Sequence, residues 1–400
     1  MGSYIHLTVG NIQIDWGKND SFFDYGILFE RSDLGTSPYF YVDDDDTNNE
    51  NINDYNLVAE YKESVNKPLK EVIERLLLLG SKASDTKEIY DTFCEANGID
   101  SASFTTKQFD DIFTNLDVGL LNDESSRSQS FKEFLQRVIA EKIGLKKDED
   151  DFSLYFTELN YPPFSILQLI NKCPASETLT VSWQYADILE GGWVTKELIL
   201  NSLGAKPQFL IVTEGSSDAN IIRRALSVLR PNIANFFRFV DMDKGYPFSG
   251  TGKLVNFTAG LISIGIENNV IILFDNDAEG VASYNRALKL AVPSNMKILK
   301  LPNLPIFENF RTIGPSGEQL ADINGSAAAI ECYLDTGNDA TVRWTSYNTE
   351  LAIYQGELED KRNTMMRFLN AFGRIENYDY SKIQSVLDHI IRECTEISSV

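Results

Sequence analysis

Apolar residues recur along this chain with two different periods, and the change near residue 205 divides it. Over residues 4–29 apolar and polar positions alternate around Gly10-Asn11 and Gly17-Lys18, which predicts short strands joined by hairpin turns. From Leu69 the spacing becomes helical: Val72, Ile73, Leu76 and Leu77 fall on one face, and the run stops at Gly80. A second helix opens at Ser130, with Glu133 three residues on as a capping box, and carries Phe131, Phe134, Leu135, Val138 and Ile139 to Gly144. Residues 43–46, four consecutive Asp, read as an exposed acidic loop, residues 146–151 as a charged connector and residues 179–183 as a strand. No internal repeat is present. The expectation is an α+β N-terminal domain over residues 1–205.

Beyond Gly204 the strands become apolar throughout and alternate with helices, the pattern of a parallel sheet covered on both faces. Residues 209–213 and 270–274 are the clearest strands, with a third over residues 236–240. The fold class is therefore α/β from residue 206 onward.

The charge distribution sharpens this division. Of 400 residues, 43% are hydrophobic and 24% charged, and 59 acidic against 36 basic side chains leave a formal charge of −23. Such a chain does not coat nucleic acid or an anionic membrane with its whole surface. Residues 1–200 hold 36 acidic and 17 basic side chains, residues 201–300 hold 8 and 11, and residues 301–400 hold 15 and 8. Only the middle hundred approaches a phosphate backbone without strong repulsion. In the first half, Lys62, Lys67, Lys70 and Arg75 are interleaved with Glu63, Glu71 and Glu74, so no basic face is segregated. Trp183, Tyr185 and Trp193 stand beside apolar positions and read as core.

The longest apolar runs, residues 76–79 and 270–274, are far shorter than the roughly 20 residues that span a bilayer. The first residues lack the basic and apolar segments of a secretory leader, so the chain is expected to be cytoplasmic, with no membrane partner. Cys94, Cys173, Cys332 and Cys394 are widely spaced and there are only two histidines, which argues against a Cys/His zinc site and for buried, reduced thiols.

Candidate chemistry collects at strand ends. Glu214 and Gly215 follow the strand at residues 209–213, and Asp218 leads into a helix. In an open α/β sheet such positions line the ligand crevice. Gly250, Thr251, Gly252 and Lys253 open another helix, where free backbone N–H groups and a lysine suit a phosphate. The strand at residues 270–274 ends in Asp275-Asn276-Asp277, and alternate carboxylates there form a hard-oxygen pair suited to Mg²⁺ or Mn²⁺. Arg223, Arg224, Arg230, Arg238, Lys244 and Lys253 are the candidate contacts to a nucleic-acid backbone, about half of them expected to be simply solvated.

The ordered set of strand-Glu-Gly-x-x-Asp, a glycine turn with lysine, and strand-Asp-x-Asp resembles the Toprim domain of topoisomerases, bacterial primases and overcoming-lysogenization-defect nucleases. The resemblance covers residues 208–301. It implies a Rossmann-like, mainly parallel sheet with helices on both faces, here over residues 206–335, with an α/β extension packing on it over residues 336–400. It also implies that Glu214, Asp275 and Asp277 bind metal and manage phosphoryl transfer, and that a further downstream acid, best matched by Glu331, joins them. More widely, the opening Met-Gly-Ser-Tyr-Ile, the Asp275-Asn276-Asp277 motif and residues 324–333 resemble the bacterial HEPN/Toprim-associated proteins. HEPN ribonucleases use an Arg four to six residues before a His, and neither His6 nor His389 has one.

A topoisomerase would need a further DNA-gate domain, and a primase a zinc domain that four scattered cysteines do not supply. The expectation is a metal-dependent nuclease acting on DNA or RNA, including transfer RNA, in a prokaryotic antiviral defence or toxin setting. Its acidic N-terminal half would form a homo-oligomer or dock a defence partner. The alternative is a nucleic-acid or nucleotide binding subunit with a regulatory Toprim domain.

Overall fold

In the computed structural model the chain forms two compact units, Met1–Ala205 and Lys206–Val400. The structure describes residues 2–42, 57–82, 86–96, 98–100, 104–123, 126–143, 161–204, 208–240, 251–337, 339–371 and 373–398. The acidic run at 43–46, the connector at 146–151 and Lys244 lie outside them.

The first unit is built on an antiparallel sheet of β1 (Tyr4–Val9), β2 (Ile12–Lys18), β3 (Leu34–Val42), β4 (Leu57–Pro68) and β5 (Thr180–Gln184), in the order β2-β1-β5-β4-β3. Between β4 and β5 run α1 (Leu69–Leu78), α2 (Thr86–Ala96), α3 (Thr106–Thr114), α4 (Phe131–Ile143) and α5 (Pro163–Ile170); α6 (Ala186–Glu190) and α7 (Lys196–Ser202) follow. The last strand in sequence is thus the central one, with Val181 opposite both Val9 and Lys67. The apolar faces of α1 and α4 are buried, and the Ser130–Glu133 capping box is made in both directions.

Two expectations change here. Gly17 lies inside β2 and the chain reverses at Asn19, returning only as a Lys18–Ser21 bridge before a short helical turn at Gly26–Leu28. The glycine serves close approach rather than turning, since a Cβ there would stand 2.3 Å from the Phe22 Cβ. Trp183 and Tyr185 are core, whereas Trp193 is 45% exposed.

Some of the basic residues of this unit are spent inside it. Lys67 is buried and pairs with Asp33 at 3.0 Å, and the buried Arg75 guanidinium donates to the Ile27 carbonyl at 2.9 Å.

The second unit has at its centre a four-stranded, wholly parallel sheet in the order β10-β8-β6-β7, made of β6 (Phe209–Thr213), β7 (Phe237–Phe239), β8 (Asn269–Phe274) and β10 (Met296–Lys300). Its helices include α8 (Ser216–Leu229), α9 (Thr251–Ser263) and α10 (Ala278–Ala287). Val212, Val270, Ile272, Phe274, Met296 and Ile298 share one core with Leu254 and Leu261 of α9. In β6 and β8 apolar residues on both sides of the strand are the reason these segments read as continuous hydrophobic runs, whereas β7 and β10 carry Arg238, Lys297 and Lys300.

A short β9 (Asn276–Asp277) pairs antiparallel with β13 (Ala327–Ala328). A mixed sheet follows in the order β12-β11-β14-β15, from β11 (Phe310–Gly314), β12 (Gly317–Ala321), β14 (Val342–Asn348) and β15 (Ile353–Leu358), and the described chain closes with α11 (Lys361–Leu369) and α12 (Ser381–Ser398). Residues 336–400 are part of the same compact unit as the parallel sheet. All four cysteines are free and buried, and among the described residues no helix is long and apolar enough to cross a membrane.

Candidate metal and phosphoryl-transfer site

The parallel sheet changes direction of winding between β6 and β8. From β6 the chain moves outward to β7, then crosses back to β8 on the other side and continues to β10. Open α/β sheets bind ligands beyond the strand carboxyl ends at this point, because the two flanking connections diverge and leave a crevice. Glu214 is the first residue after β6 and Asp275 the first after β8. They meet directly: the Asp275 backbone N–H donates to Glu214 Oε1 at 3.0 Å.

Three further acids surround this pair. Asp218, in the first turn of α8, accepts from the Gly215 N–H at 3.0 Å and from the Ser217 hydroxyl at 3.1 Å. Asp277 caps α10 by accepting from the Gly280 N–H at 2.7 Å, while its other oxygen accepts from Gln355 Nε2 at 2.7 Å. The Ile330 N–H donates to Asp275 Oδ1 at 3.1 Å, which draws in the turn that carries Glu331. Gly280 is needed for this closeness, since a Cβ on it would lie 2.4 Å from the Asp275 carbonyl oxygen.

Asn276 is the buried pivot between the two aspartates. Its Oδ1 accepts from Lys300 Nζ at 2.8 Å and from the Gly325 N–H at 3.1 Å, and its amide donates to the Tyr333 hydroxyl at 3.3 Å. Residues 324–333 therefore frame the acids: Gly325 at φ +72° reaches Asn276, β13 pairs with β9, and Ile330 holds Asp275.

All five acids have their proton affinity raised, first of all by burial. Glu214 is pushed up to about 8, with the charges of Asp277 and Asp218 adding to burial and the Asp275 N–H opposing it. Asp218 is pushed up to about 7 by burial and then by Glu331. Burial, followed by the charges of Asp218, Glu214, Asp277 and Glu331, drives Asp275 well above the carboxylate range. Asp277 and Glu331 also rise, although the Lys361 charge works against this at both.

Among the described residues no ion pair within 4 Å involves any of the five, and no three such side chains already close around one ion position. The donor chemistry is that which suits a hard divalent cation: carboxylate oxygens that burial first, and then mutual repulsion, disfavour as anions. Glu214, Asp275, Asp277 and Glu331 are the oxygen donors that the sequence expectation assigns to it, although both oxygens of Asp277 are already hydrogen-bonded. Asp218 already gives one oxygen to a backbone N–H and one to a hydroxyl.

The basic candidates do not join this network through any hydrogen bond or ion pair among the described residues. Lys253 is exposed in the first turn of α9. Arg223 is exposed over the Phe239 ring and shares a groove of about 280 Å³ with Arg238. Arg224 donates to the Gly373 carbonyl at 2.9 Å and lies over Phe368, and Arg230 pairs with Asp388 at 2.8 Å. Sequence reasoning missed Asn276, Lys300, Gln355 and Lys361; only Asn276 carried a signal, as the residue between two aspartates.

The HEPN/Toprim N-terminal domain 1 family matches residues 1–206. No curated protein and no solved structure matches the chain. With just over half of the 400 residues covered by that family, the chain belongs to the HEPN/Toprim N-terminal domain family.

Proposed function

We propose that the second unit is a Toprim-type, metal-dependent nuclease that hydrolyses phosphodiester bonds in DNA or RNA, as an effector of antiviral defence or a toxin. One observation carries this reading: Glu214 and Asp275 meet at the switch point of a parallel sheet, with Asp218, Asp277 and Glu331 electrostatically coupled to them. Mg²⁺ or Mn²⁺, when bound, supplies the Lewis acidity that polarises the scissile phosphate. The chain's own residues do the rest. Asp275 and Asp277 orient, because backbone N–H groups hold one oxygen of each. Burial and the charges of Asp277 and Asp218 push Glu214 up towards neutral pH in the metal-free chain, which suits it to passing a proton. Arg223, Arg238 and Lys253 remain exposed for the polymer backbone.

A second reading, a nucleic-acid or nucleotide binding subunit without hydrolysis, is favoured by the engagement of Asp218 and Asp277 as helix-terminus acceptors. Cleavage of plasmid, single-stranded DNA and transfer RNA, with Mg²⁺ or Mn²⁺, separates the two. Asp275→Asn and Asp277→Asn should abolish cleavage with the chain still folded: Asn keeps the backbone hydrogen bond from Ile330 or Gly280, while at Asp277 its amide meets the Gln355 donor and lowers the thermal transition by a few degrees. Full activity in either variant removes the carboxylate assignment.

The first unit is, on this reading, the module for self-association or a defence partner. Its acidic balance and its inward-facing Lys67 and Arg75 support that role over nucleic-acid binding.

A further inference from the structure

We propose that the cleft between α10 and the β14–β15 hairpin binds an unpaired nucleobase, which makes the substrate single-stranded nucleic acid. The placing of catalysis beside it rests on the nuclease reading; the binding does not. The cleft measures about 410 Å³ and is lined by Glu279, Arg286, Tyr347, Asn348, Glu350 and Gln355 among others. That volume lies in the range of pockets that hold one small ligand.

Each wall has a defined chemistry. Tyr347 is 50% exposed, and Tyr354 braces it edge-on with ring centroids 5.2 Å apart and planes at 74°. A tyrosine fixed in this way offers a π face that stacks on any base. Asn348 makes the neighbouring turn rigid: its Oδ1 accepts from the Glu350 and Leu351 N–H groups, both at 3.0 Å, and its amide donates to the Ala278 carbonyl at 3.3 Å.

Gln355 joins the cleft to the carboxylates. Its Oε1 accepts from the Glu279 N–H at 3.0 Å, while its Nε2 donates to Asp277 Oδ2 at 2.7 Å. A base in the cleft is one side chain away from the candidate catalytic acids. The charges identify the ligand further. Glu279 and Glu350 outnumber Arg286 in the lining, and Arg286 donates to the Ser283 hydroxyl at 2.8 Å, so the cleft is no phosphate clamp. A flat aromatic ring that stacks on Tyr347 fits it. In a duplex that ring is stacked and paired, and it reaches Tyr347 only after leaving the helix.

The test uses the full-length chain in EDTA with fluorescein-labelled oligothymidylate and oligouridylate of about eight nucleotides, a length within the usual site size. The same strands annealed to their complements are the duplex arm, and anisotropy reads binding. Single strands should bind more tightly than duplexes. Tyr347→Ala should weaken that binding about ten-fold, the loss of one base stack, and Tyr347→Phe should restore it. Glu350→Gln should tighten it. Equal affinity for duplex, or unchanged binding by Tyr347→Ala, overturns the proposal. If Tyr347→Ala weakens binding in EDTA and no polymer is cleaved with Mg²⁺, the cleft stands and the nuclease reading falls. If cleavage needs Asp275 and Tyr347→Ala leaves both binding and KM unchanged, the nuclease reading stands and the cleft falls.

Discussion

Removing the charge of Glu214 should make the metal-free protein more stable while it removes activity. Burial and the neighbouring carboxylates push Glu214 from 4.5 up to about 8. A group whose folded-state proton affinity exceeds its unfolded one binds more protons when folded, so stability falls as pH rises from about 4.5 to about 8. At 1.4 kcal/mol for each tenfold change in proton affinity, Glu214 alone sets a ceiling of roughly 5 kcal/mol on that loss. Protons redistribute among five coupled acids, so about 2 kcal/mol is a reasonable share for one of them. Glu214→Gln has no charge to strain the site, and its amide oxygen can still accept from the Asp275 N–H. At pH 5 the variant and the parent should therefore melt together. At pH 8 in EDTA the variant should melt about 4–8 °C higher, using 2–4 °C per kcal/mol for a unit of this size. Scanning fluorimetry of the full chain reads the difference, and added Mg²⁺ should raise the parent's transition at pH 8 far more than the variant's. A variant that is less stable than the parent at pH 8, or a difference independent of pH, would refute the idea that Glu214 is held as a strained carboxyl.

Three other outcomes follow from the geometry. Gly280→Ala should cost about 1–3 kcal/mol and lower the melting transition, because its Cβ must displace the Asp275 carbonyl; a wild-type melt together with full cleavage would show that the loop yields freely. Lys253→Ala should reduce the salt slope of nucleic-acid binding by about one released counterion, and an unchanged slope makes Lys253 an ordinary solvated residue. The fragment of residues 1–205 should fold on its own core and self-associate or bind a protein, with no shift of labelled DNA or RNA at moderate salt; submicromolar nucleic-acid binding by it would reverse the assigned roles of the two units.

What the sequence made legible is what local chemistry determines. The strands at residues 209–213 and 270–274 are apolar on both faces, and each is followed at once by its acid, so Glu214 and Asp275 could be placed without a structure. Strand order was not legible in the same way. The run at residues 179–183 reads as a strand, but its position between β1 and β4 depends on pairings across more than a hundred residues. The lysines were misleading for a related reason: Lys67 belongs by sequence to a mixed-charge surface, yet Asp33 and Glu30, some thirty residues upstream, make it a buried one.

The same distinction explains why the residues that hold the site escaped notice. Gln355 reaches Asp277 from 78 positions away, and Lys300 reaches Asn276 from 24. Neither belongs to a motif, because amide and ammonium groups are common on any surface and only the fold gives these two a buried partner. A carboxylate at a strand end states its chemistry in its neighbours, whereas a residue that positions it states nothing until both strands are in the sheet. The acids and their supports should accordingly respond differently to substitution. Replacing Asp275 by Asn keeps the hydrogen bond from Ile330 and removes only charge, while replacing Lys300 by Met leaves the side-chain oxygens of Asn276 and Asn303 without the ammonium that both accept from. Asn303 is exposed and turns to water, while the buried Asn276 oxygen keeps the Gly325 N–H and loses its charged donor, at a cost of about 1–3 kcal/mol. The expected cost of Lys300→Met to the fold therefore comes through Asn276 alone, although nothing in the chain marked that contact.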